Sequence, residues 1–340
     1  MSKIKIVAEI GCNHNGSFEM AMQMVDAAKE AGADAVKFQS FVAEELVSEY
    51  APKAEYQKKN DGEGTSQLEM LRGLQLSDKE YEQIKAHAEE IGIEVFSAPF
   101  DMTSVEALER VGQSCWKIPS GEITNLPYLE RIRDIKCPNK EIILSTGMSS
   151  FDEVDTAVKL LEGSADTTLV ILHCNTAYPT EDWDMNILAM RALKKRYPHW
   201  KVGLSDHSIG EVAAVVAASL GAEFIEKHFT LDKNLPGPDH KASADPKDMK
   251  RLCEKVRRAE IMLGREDKFV TNSEAQTRDI ARKSITAKKY IKKGEIFTAD
   301  NITCKRPGTG ISPMHWHEVI GTCAEQDFAP NDLIRCSKIK

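Results

Sequence analysis

Hydrophobic and polar positions follow two alternating patterns over the first 265 residues, short β-branched runs and longer amphipathic stretches. The short runs predict eight strands, at Ile4–Glu9, Ala35–Phe41, Glu94–Ala98, Cys115–Ile118, Glu141–Ser145, Thr168–Cys174, Lys201–Ser205 and Phe224–His228. The longer stretches predict eight helices, at Phe18–Ala31, Asp78–Ile91, Ser104–Val111, Pro127–Asp134, Phe151–Leu161, Ile187–Tyr197, Ile209–Leu220 and Pro246–Leu263. Strict alternation implies parallel strands joined by right-handed crossovers. Eight units in about 250 residues favour a (β/α)8 TIM barrel, with an open doubly wound sheet as the alternative.

Two other segments depart from this alternation. The connection Val42–Ser77 is much longer than its neighbours, which is typical of a functional lid or binding loop. Residues 266–281 are polar and poor in core residues, whereas residues 282–340 have short strands, glycine turns and no long helix. We therefore expect a catalytic barrel over residues 1–265, a linker over 266–281 and a small β-rich domain over 282–340.

Composition and charge narrow the class of protein. The net charge of −8 argues against a nucleic-acid binder, and no apolar run is long enough for a membrane span. Residues 282–340 carry a net charge of +5 and residues 1–281 a net charge of −13, so the two parts are suited to attract each other. A basic surface exposed to solvent is the alternative. Eight cysteines without CxxC spacing and the absence of a signal peptide favour a cytoplasmic enzyme.

Polar side chains recur where the predicted strands end, the catalytic face of a parallel barrel. They are Glu9, Lys37, Gln39, Ser97, Lys117, Ser145, Ser205, His207 and His228, with Ser120, Glu122, Asn125 and Thr176 in the following turns. The lysines and hydroxyls together suit a ligand that carries a phosphate and a carboxylate. Any single lysine can instead cap the carbonyls of a helix.

Histidines close two neighbouring strands. His207 and His228 can converge on one ion, and two imidazoles with oxygen ligands suit Mn²⁺, Mg²⁺ or Zn²⁺. Packed, hydrogen-bonded histidines are the alternative. Asp206 and Glu226 flank them and are candidates to support the ligands. Glu9 ends a strand and is the candidate acid–base residue, with a structural ion pair as its alternative.

Long motifs in this order resemble the sialic acid synthase family. They are EIGCNHNGS, AVKFQSF, FSAPFD, KIPSGEITNLPYL, STGM, LHCNTAYP, GLSDHS, IEKHFTLDK and GPDHKAS, and KSITAKKYIKKGEIF with KRPGTGISP resembles the family's antifreeze-like (SAF) domain. The resemblance implies condensation of phosphoenolpyruvate, an N-acylated mannosamine-type sugar and water, with release of phosphate by C–O cleavage. It is nearest to the bacterial N-acetylneuraminate branch, which uses N-acetylmannosamine. The alternative is a legionaminic acid synthase that uses 2,4-diacetamido-2,4,6-trideoxymannose.

The resemblance also assigns roles to individual residues. Glu9 is the implied catalytic residue, and His207 and His228 are the implied ligands of Mn²⁺ or Mg²⁺. The implied substrate-binding residues are Lys37, Gln39, Lys117, Ser120, Ser145, Ser205, Tyr178, Asp239 and Arg306. Position at the strand ends, rather than the resemblance, makes Lys117 a candidate catalytic residue as well and adds Ser97, Glu122, Asn125 and Thr176 as candidate substrate-binding residues. Some family members have HQTH in place of FQSF and an asparagine in place of Thr176. The resemblance further implies a homodimer in which the SAF domain of one chain brings Arg306 to its partner's barrel.

Two other classes share some of these features. A metal-dependent aldolase has the same barrel and histidines but uses pyruvate, so it releases no phosphate. A carbohydrate- or ice-binding protein with an inert barrel is the second class, and the polar groups at nearly every strand end argue against it.

Overall fold

A computed structural model describes residues 3–53, 66–163, 167–337 and 339. The chain forms two compact units, Met1–Gly264 and Arg265–Lys340. The first unit contains the eight predicted parallel strands. They are β1 (Lys5–Gly11), β2 (Ala35–Ser40), β3 (Glu94–Pro99), β4 (Cys115–Ile118), β5 (Glu141–Ser145), β6 (Thr168–Cys174), β7 (Lys201–Asp206) and β8 (Phe224–His228).

The strands form one sheet in the order β3-β2-β1-β8-β7-β6-β5-β4, and all assigned pairs are parallel. β3 and β4 are the two ends of this order and lie side by side, which leaves a nearly closed barrel. The predicted TIM barrel is confirmed, because the alternation of strands and helices permits this closed arrangement of crossovers.

Among the described residues, eight helices lie at the predicted places around the barrel, and two short ones lie in the long connection after β2. They are α1 (Phe18–Ala31), α2 (Ala43–Leu46), α3 (Gln67–Arg72), α4 (Asp78–Ile91), α5 (Met102–Arg110), α6 (Leu126–Asp134), α7 (Phe151–Leu161), α8 (Ala189–Arg196), α9 (Val212–Ser219) and α10 (Pro246–Leu263). Local signals set their ends. For example, Ser77 and Glu80 form a capping box at the start of α4, and Gly92 ends this helix in the left-handed conformation. None of the helices in the described ranges combines the length and apolar composition needed to cross a bilayer.

The long connection between β2 and α4 is partly helical. It contains α2 and α3, while its residues 54–65 lie outside the described residues. Val42 N donates to the side chain of Asp101, which follows β3, at 2.7 Å and so ties the start of the connection to the barrel. Ala43 N donates to Gln75 Oε1 at 3.1 Å, which joins the two ends of the connection. Its apolar residues pack on the barrel rim with Phe41.

Two layers of side chains fill the barrel, because alternate residues of each strand point inward. The lower layer is apolar and consists of Val7, Ala35, Phe96, Cys115, Ile143, Val170, Leu172 and Phe224. Gly203 occupies this layer on β7, where a Cβ atom would lie 2.2 Å from the carbonyl oxygen of Phe224. The layer above begins two residues later on each strand, and it is mostly polar; on β3 this position is Ala98.

The second unit is the expected small β-rich domain. It begins with helix α11 (Asn272–Ala281), which occupies much of the segment expected to be a linker. An antiparallel pair follows, β9 (Ser284–Ala287) with β10 (Ile302–Lys305), and α12 (Trp316–Val319) lies further along. A separate apolar core stabilises this unit, and it includes Ile285, Phe297 and Phe328.

Candidate active site

The upper layer of the barrel forms the floor of an open cleft with a volume of about 480 Å³. Seven of the eight strands contribute one floor residue, two positions beyond the apolar layer. These residues are Glu9, Lys37, Lys117, Ser145, Cys174, Ser205 and Glu226. Loop residues complete the walls, among them Gln39, Ser120, Thr176, Tyr178, His207, His228 and Asp239. The strand-end side chains predicted from sequence therefore largely converge.

Two lysines and two glutamates form the centre of the cleft. The Nζ atom of Lys37 lies 3.0 Å from Glu9 Oε2 and 3.4 Å from Glu226 Oε1. Lys117 Nζ lies 3.7 Å from the same Glu226 oxygen and donates to Ser145 Oγ at 2.7 Å. All four charged side chains are buried, so solvent screens their charges little and they interact strongly with one another.

The pKa values of the two carboxyl groups are shifted in opposite directions. Burial opposes ionisation of Glu226, but Lys117 and Lys37 lower its pKa to about 2. Burial raises the pKa of Glu9 above its ordinary value, against the opposing effect of Lys37. Environments that separate the pKa values of two neighbouring carboxyl groups are typical of acid–base sites. Glu226 is thus the counter-ion shared by the two lysines, and Glu9 remains the candidate acid–base residue.

Local backbone geometry holds Glu9 in place. Gln39 Nε2 donates to Glu9 Oε1 at 2.8 Å, and Gly11 follows with a positive φ of 46°. A Cβ atom on Gly11 would lie 2.7 Å from Glu9 Oε1, so a larger residue here displaces the carboxylate. A glycine two positions after Glu9 therefore leaves room for the carboxylate of Glu9.

The two histidines meet at the edge of this charged centre. The ring centroids of His207 and His228 lie 5.2 Å apart, and Tyr178 packs against both rings, with its centroid 4.1 Å from that of His207. His207 Nδ1 donates to the carbonyl of Asn175 at 2.5 Å, which leaves Nε2 as the nitrogen with a free lone pair. Burial lowers the pKa of His228 and keeps its imidazole neutral, the form that binds metals.

Comparison with known proteins identifies the fold and its chemistry. A family model described as NeuB family matches residues 24–268, and a SAF domain model matches residues 282–340.

The chain belongs to the NeuB family.

An N,N'-diacetyllegionaminic acid synthase of Campylobacter jejuni is 44% identical over 337 residues, covering 98% of this chain and all of the relative. The enzyme of the same name from Legionella pneumophila is 43% identical and covers 93% of this chain and 89% of its own. A crystal structure of N-acetylneuraminic acid synthetase from Leptospira borgpetersenii superposes with a TM-score of 0.71 and 31% identity, over 81% of this chain and 90% of that one.

Membership of the NeuB family confirms the predicted enzyme class, a phosphoenolpyruvate-dependent synthase of sialic (nonulosonic) acids and a transferase. Enzymes of this family use phosphoenolpyruvate and an N-acetylated sugar. The predicted SAF domain is also confirmed.

The NeuB family is metal-dependent, and the donor set of this cleft fits a divalent cation. Within the described ranges no cluster of three or more His, Cys, Asp or Glu side chains has a metal-binding arrangement. Two neighbouring imidazoles, with oxygen atoms of water or substrate, form a donor set of the kind that divalent cations bind. In the described part of the chain, His228 Nδ1 and Asp239 Oδ1 are buried without a hydrogen-bond partner, so unsatisfied polar atoms border this position.

Four of the predicted residues lie outside the lining of the cleft, and their roles stay predictions. Ser97 is one position out of phase with the floor layer, and its hydroxyl is 2.7 Å from that of Ser40. Glu122 and Asn125 bond to each other on the rim, with Asn125 Nδ2 donating at 2.6 Å. Arg306 belongs to the second unit, where its Nε donates to the carbonyl of Ala281 at 2.9 Å.

Glu226 has a larger role in the site than its place beside a histidine predicts. That place makes it a candidate support for the histidines, yet it contacts both lysines and accepts a hydrogen bond from Ser205 at 3.0 Å. Strand alternation contains the missing signal, because a residue two positions before an inward histidine points inward as well. The same rule sends Asp206, between Ser205 and His207, to the opposite face of β7.

Proposed function

We propose that this enzyme is an N,N'-diacetyllegionaminic acid synthase, which condenses phosphoenolpyruvate with 2,4-diacetamido-2,4,6-trideoxymannose and water and releases phosphate. The 44% identity to the Campylobacter jejuni synthase over the full length of both chains carries this proposal. It favours the alternative acceptor over N-acetylmannosamine, the first expectation from sequence. Eight free cysteines support the cytoplasm as its location.

The wall of the cleft supports the same acceptor. Apolar residues from the β2–α4 connection and from the end of β3 line one part of it: Leu46, Val47, Met70, Leu71 and Phe100. The proposed sugar has a methyl group at C6 and two acetamido methyl groups, whereas N-acetylmannosamine has hydroxyl groups at C4 and C6. Burying each additional methyl group against such a wall contributes about 0.8 kcal/mol.

The residues of the floor explain how the reaction proceeds. Lys37 and Lys117, with Ser120 and Ser145, bind the phosphate and carboxylate of phosphoenolpyruvate and orient its C3 atom toward the sugar aldehyde. C3 forms a bond to the aldehyde carbon, water adds to C2, and the C2–O bond to phosphate breaks. Glu9 accepts one proton of that water and can return it to the former aldehyde oxygen, which becomes a hydroxyl group, while the other proton of the water leaves with phosphate. His207 and His228 would hold a divalent metal, which would supply Lewis-acid activation of the aldehyde.

A substrate panel tests the acceptor. With phosphoenolpyruvate and Mn²⁺ present, we expect kcat/KM for the diacetamido trideoxy sugar to exceed that for N-acetylmannosamine by about 10–200-fold, the range for one methyl group in an apolar pocket. Phosphate release is the measurement. A preference for N-acetylmannosamine contradicts the proposed acceptor, and product formation from pyruvate without phosphate release identifies an aldolase instead.

We also propose a homodimer in which each SAF domain supplies Arg306 to the partner's sugar site. The support is the charge of +5 on residues 282–340 against −13 on residues 1–281, together with the position of Arg306 beside Pro307 and Gly308 in an exposed turn. Mixing inactive Glu9→Ala and Arg306→Ala chains should restore activity, because each mixed dimer then contains one intact site. Random pairing recovers about a quarter of all sites.

The mixing experiment also separates the two possible arrangements. If Arg306 serves its own barrel, no mixed dimer has an intact site, and the activity remains the sum of the two variants. Co-expression with two affinity tags isolates the mixed dimers, so that this negative outcome is interpretable. A protein that elutes as a monomer in size-exclusion chromatography with light scattering contradicts the dimer directly.

A further inference from the structure

A buried ion pair lies behind the two histidines, on the outer face of the barrel. Asp206 and Lys227 are paired residues of β7 and β8, and their side chains are at most 2% exposed. Lys227 Nζ donates to Asp206 Oδ2 at 2.9 Å. Neither residue lines the cleft, and Lys227 instead borders a small cavity next to Leu252 of α10. Each residue of the pair immediately precedes one of the histidines.

His207 lies beyond the end of the sheet ladder. The pairing of β7 with β8 stops at Asp206 and Lys227, so no further rung holds His207 to β8. A side-chain hydrogen bond takes the place of the next backbone pair: Lys227 Nζ also donates to the carbonyl oxygen of Ser208. The other oxygen of Asp206 accepts hydrogen bonds from the N–H and hydroxyl of Ser208, at 2.9 and 2.7 Å.

These bonds enclose His207 from both sides. Its two chain neighbours, Asp206 and Ser208, are bonded to each other and to one ammonium group on β8. That ammonium belongs to the residue before His228, whose carbonyl accepts a hydrogen bond from Ala244 N at 2.8 Å. The buried side chain of Lys227 thus connects the backbone on both sides of His207 to β8, the strand that ends in His228.

We propose that Asp206 and Lys227 form a positioning pair that sets the separation and orientation of His207 and His228 for a divalent cation. A two-imidazole site has few protein ligands, so its affinity depends on holding both rings at a fixed spacing. Neither residue of the pair contacts the cation or the substrate. The proposal rests on the proposed metal role of the two histidines and adds a residue pair outside the cleft to the metal site.

The test compares Lys227→Met with the double variant Asp206→Asn/Lys227→Met. The single variant leaves a buried aspartate without its cation, so it loses stability as well as the bond to Ser208. The double variant removes both charges, keeps similar side-chain volumes and lacks only the bonds from the ammonium. We expect its melting temperature to recover while its dissociation constant for Mn²⁺ remains about 10–100-fold above that of the wild type.

Metal binding is measured on the metal-free protein by calorimetry, without any substrate. Co²⁺ absorption spectra report on ligand geometry, and we expect the bands of the double variant to differ from those of the wild type. At saturating Mn²⁺ its kcat should approach that of the wild type. Lys5→Met is the matched control: it removes a lysine paired with Glu94 and Glu141 at the opposite end of the barrel, and should leave the Mn²⁺ affinity unchanged.

The outcomes separate the two proposals. Wild-type Mn²⁺ affinity and Co²⁺ spectrum in the double variant overturn the positioning role, even where Lys227→Met is unstable. If the Mn²⁺ affinity also stays unchanged in His228→Ala, His228 is not a metal ligand, and the proposed role of the positioning pair is wrong as well. The acceptor sugar does not enter the measurement, so an error in its identity leaves this result intact.

Discussion

Replacing Glu9 by glutamine should lower kcat by about 10²–10⁴-fold, the usual contribution of a general acid–base residue. Glutamine keeps the size of the side chain and still accepts a hydrogen bond from Gln39, but it cannot take a proton from the attacking water. Lys37 retains a counter-ion in Glu226, 3.4 Å away, so the phosphoenolpyruvate site keeps its charge pattern. Steady-state phosphate release measures the change in kcat, and calorimetry should show phosphoenolpyruvate binding within a few-fold of the wild type.

Glu141→Gln is the matched control for this prediction. Glu141 starts β5 at the other end of the barrel, where it pairs with Lys5 and Lys201 at 3.3 and 3.0 Å. The same chemical change there should lower the melting temperature slightly and leave kcat unaltered. An undiminished kcat in Glu9→Gln would return Glu9 to its alternative role, a structural ion-pair partner of Lys37.

Much of the site was predictable because a parallel barrel brings the carboxyl ends of all its strands close together. Hydrophobic runs located the eight strands to within two residues, and several, such as Glu141–Ser145 and Phe224–His228, at identical bounds. Once the strands close into a barrel, Glu9, Lys37 and Lys117 meet although they are far apart in the chain. The physical cause is the common direction of the strands, which brings every carboxyl end to one face.

Whether an individual side chain points into the barrel or away from it was harder to predict, since a shift of one position along a strand reverses its direction. Ser97 is polar and near a strand end, yet Phe96 is the inward residue, so Ser97 bonds to Ser40 away from the cleft. Asp206 and Glu226 both flank histidines, but they point to opposite faces. Counting by two from an established inward residue resolves all of these cases.

The β2–α4 connection was predictable only as a long loop. Its short helices α2 and α3 depend on contacts that are distant in the chain, such as the hydrogen bond from Val42 N to Asp101. Its apolar side chains gather around Phe41 and Phe100 and become part of the cleft wall. Local sequence contains no signal for such packing, because the partners come from other elements of the barrel.

Chelation should abolish the activity of the wild-type enzyme, and Mn²⁺ or Mg²⁺ should restore it, whereas His228→Ala should respond weakly to added metal. Among the described residues, His207 and His228 provide the two imidazoles that line the cleft, and both are buried. With so few protein ligands, the loss of one should weaken Mn²⁺ binding by at least the 10–100-fold that changes around a metal site commonly cause. Titration of metal into the chelator-treated protein measures the affinity, and phosphate release measures the recovery.

His173→Ala is the control that makes the result specific to this position. His173 also lies near the end of a barrel strand, but it alternates with Cys174 and faces away from the cleft, where its Nε2 donates to the carbonyl of Met185 at 2.7 Å. Removing it should leave metal affinity and metal-restored activity close to those of the wild type. Equal losses in both histidine variants would indicate a general effect on folding. Full activity of a chelator-treated double variant lacking His207 and His228 would refute a metal-dependent reaction at this site.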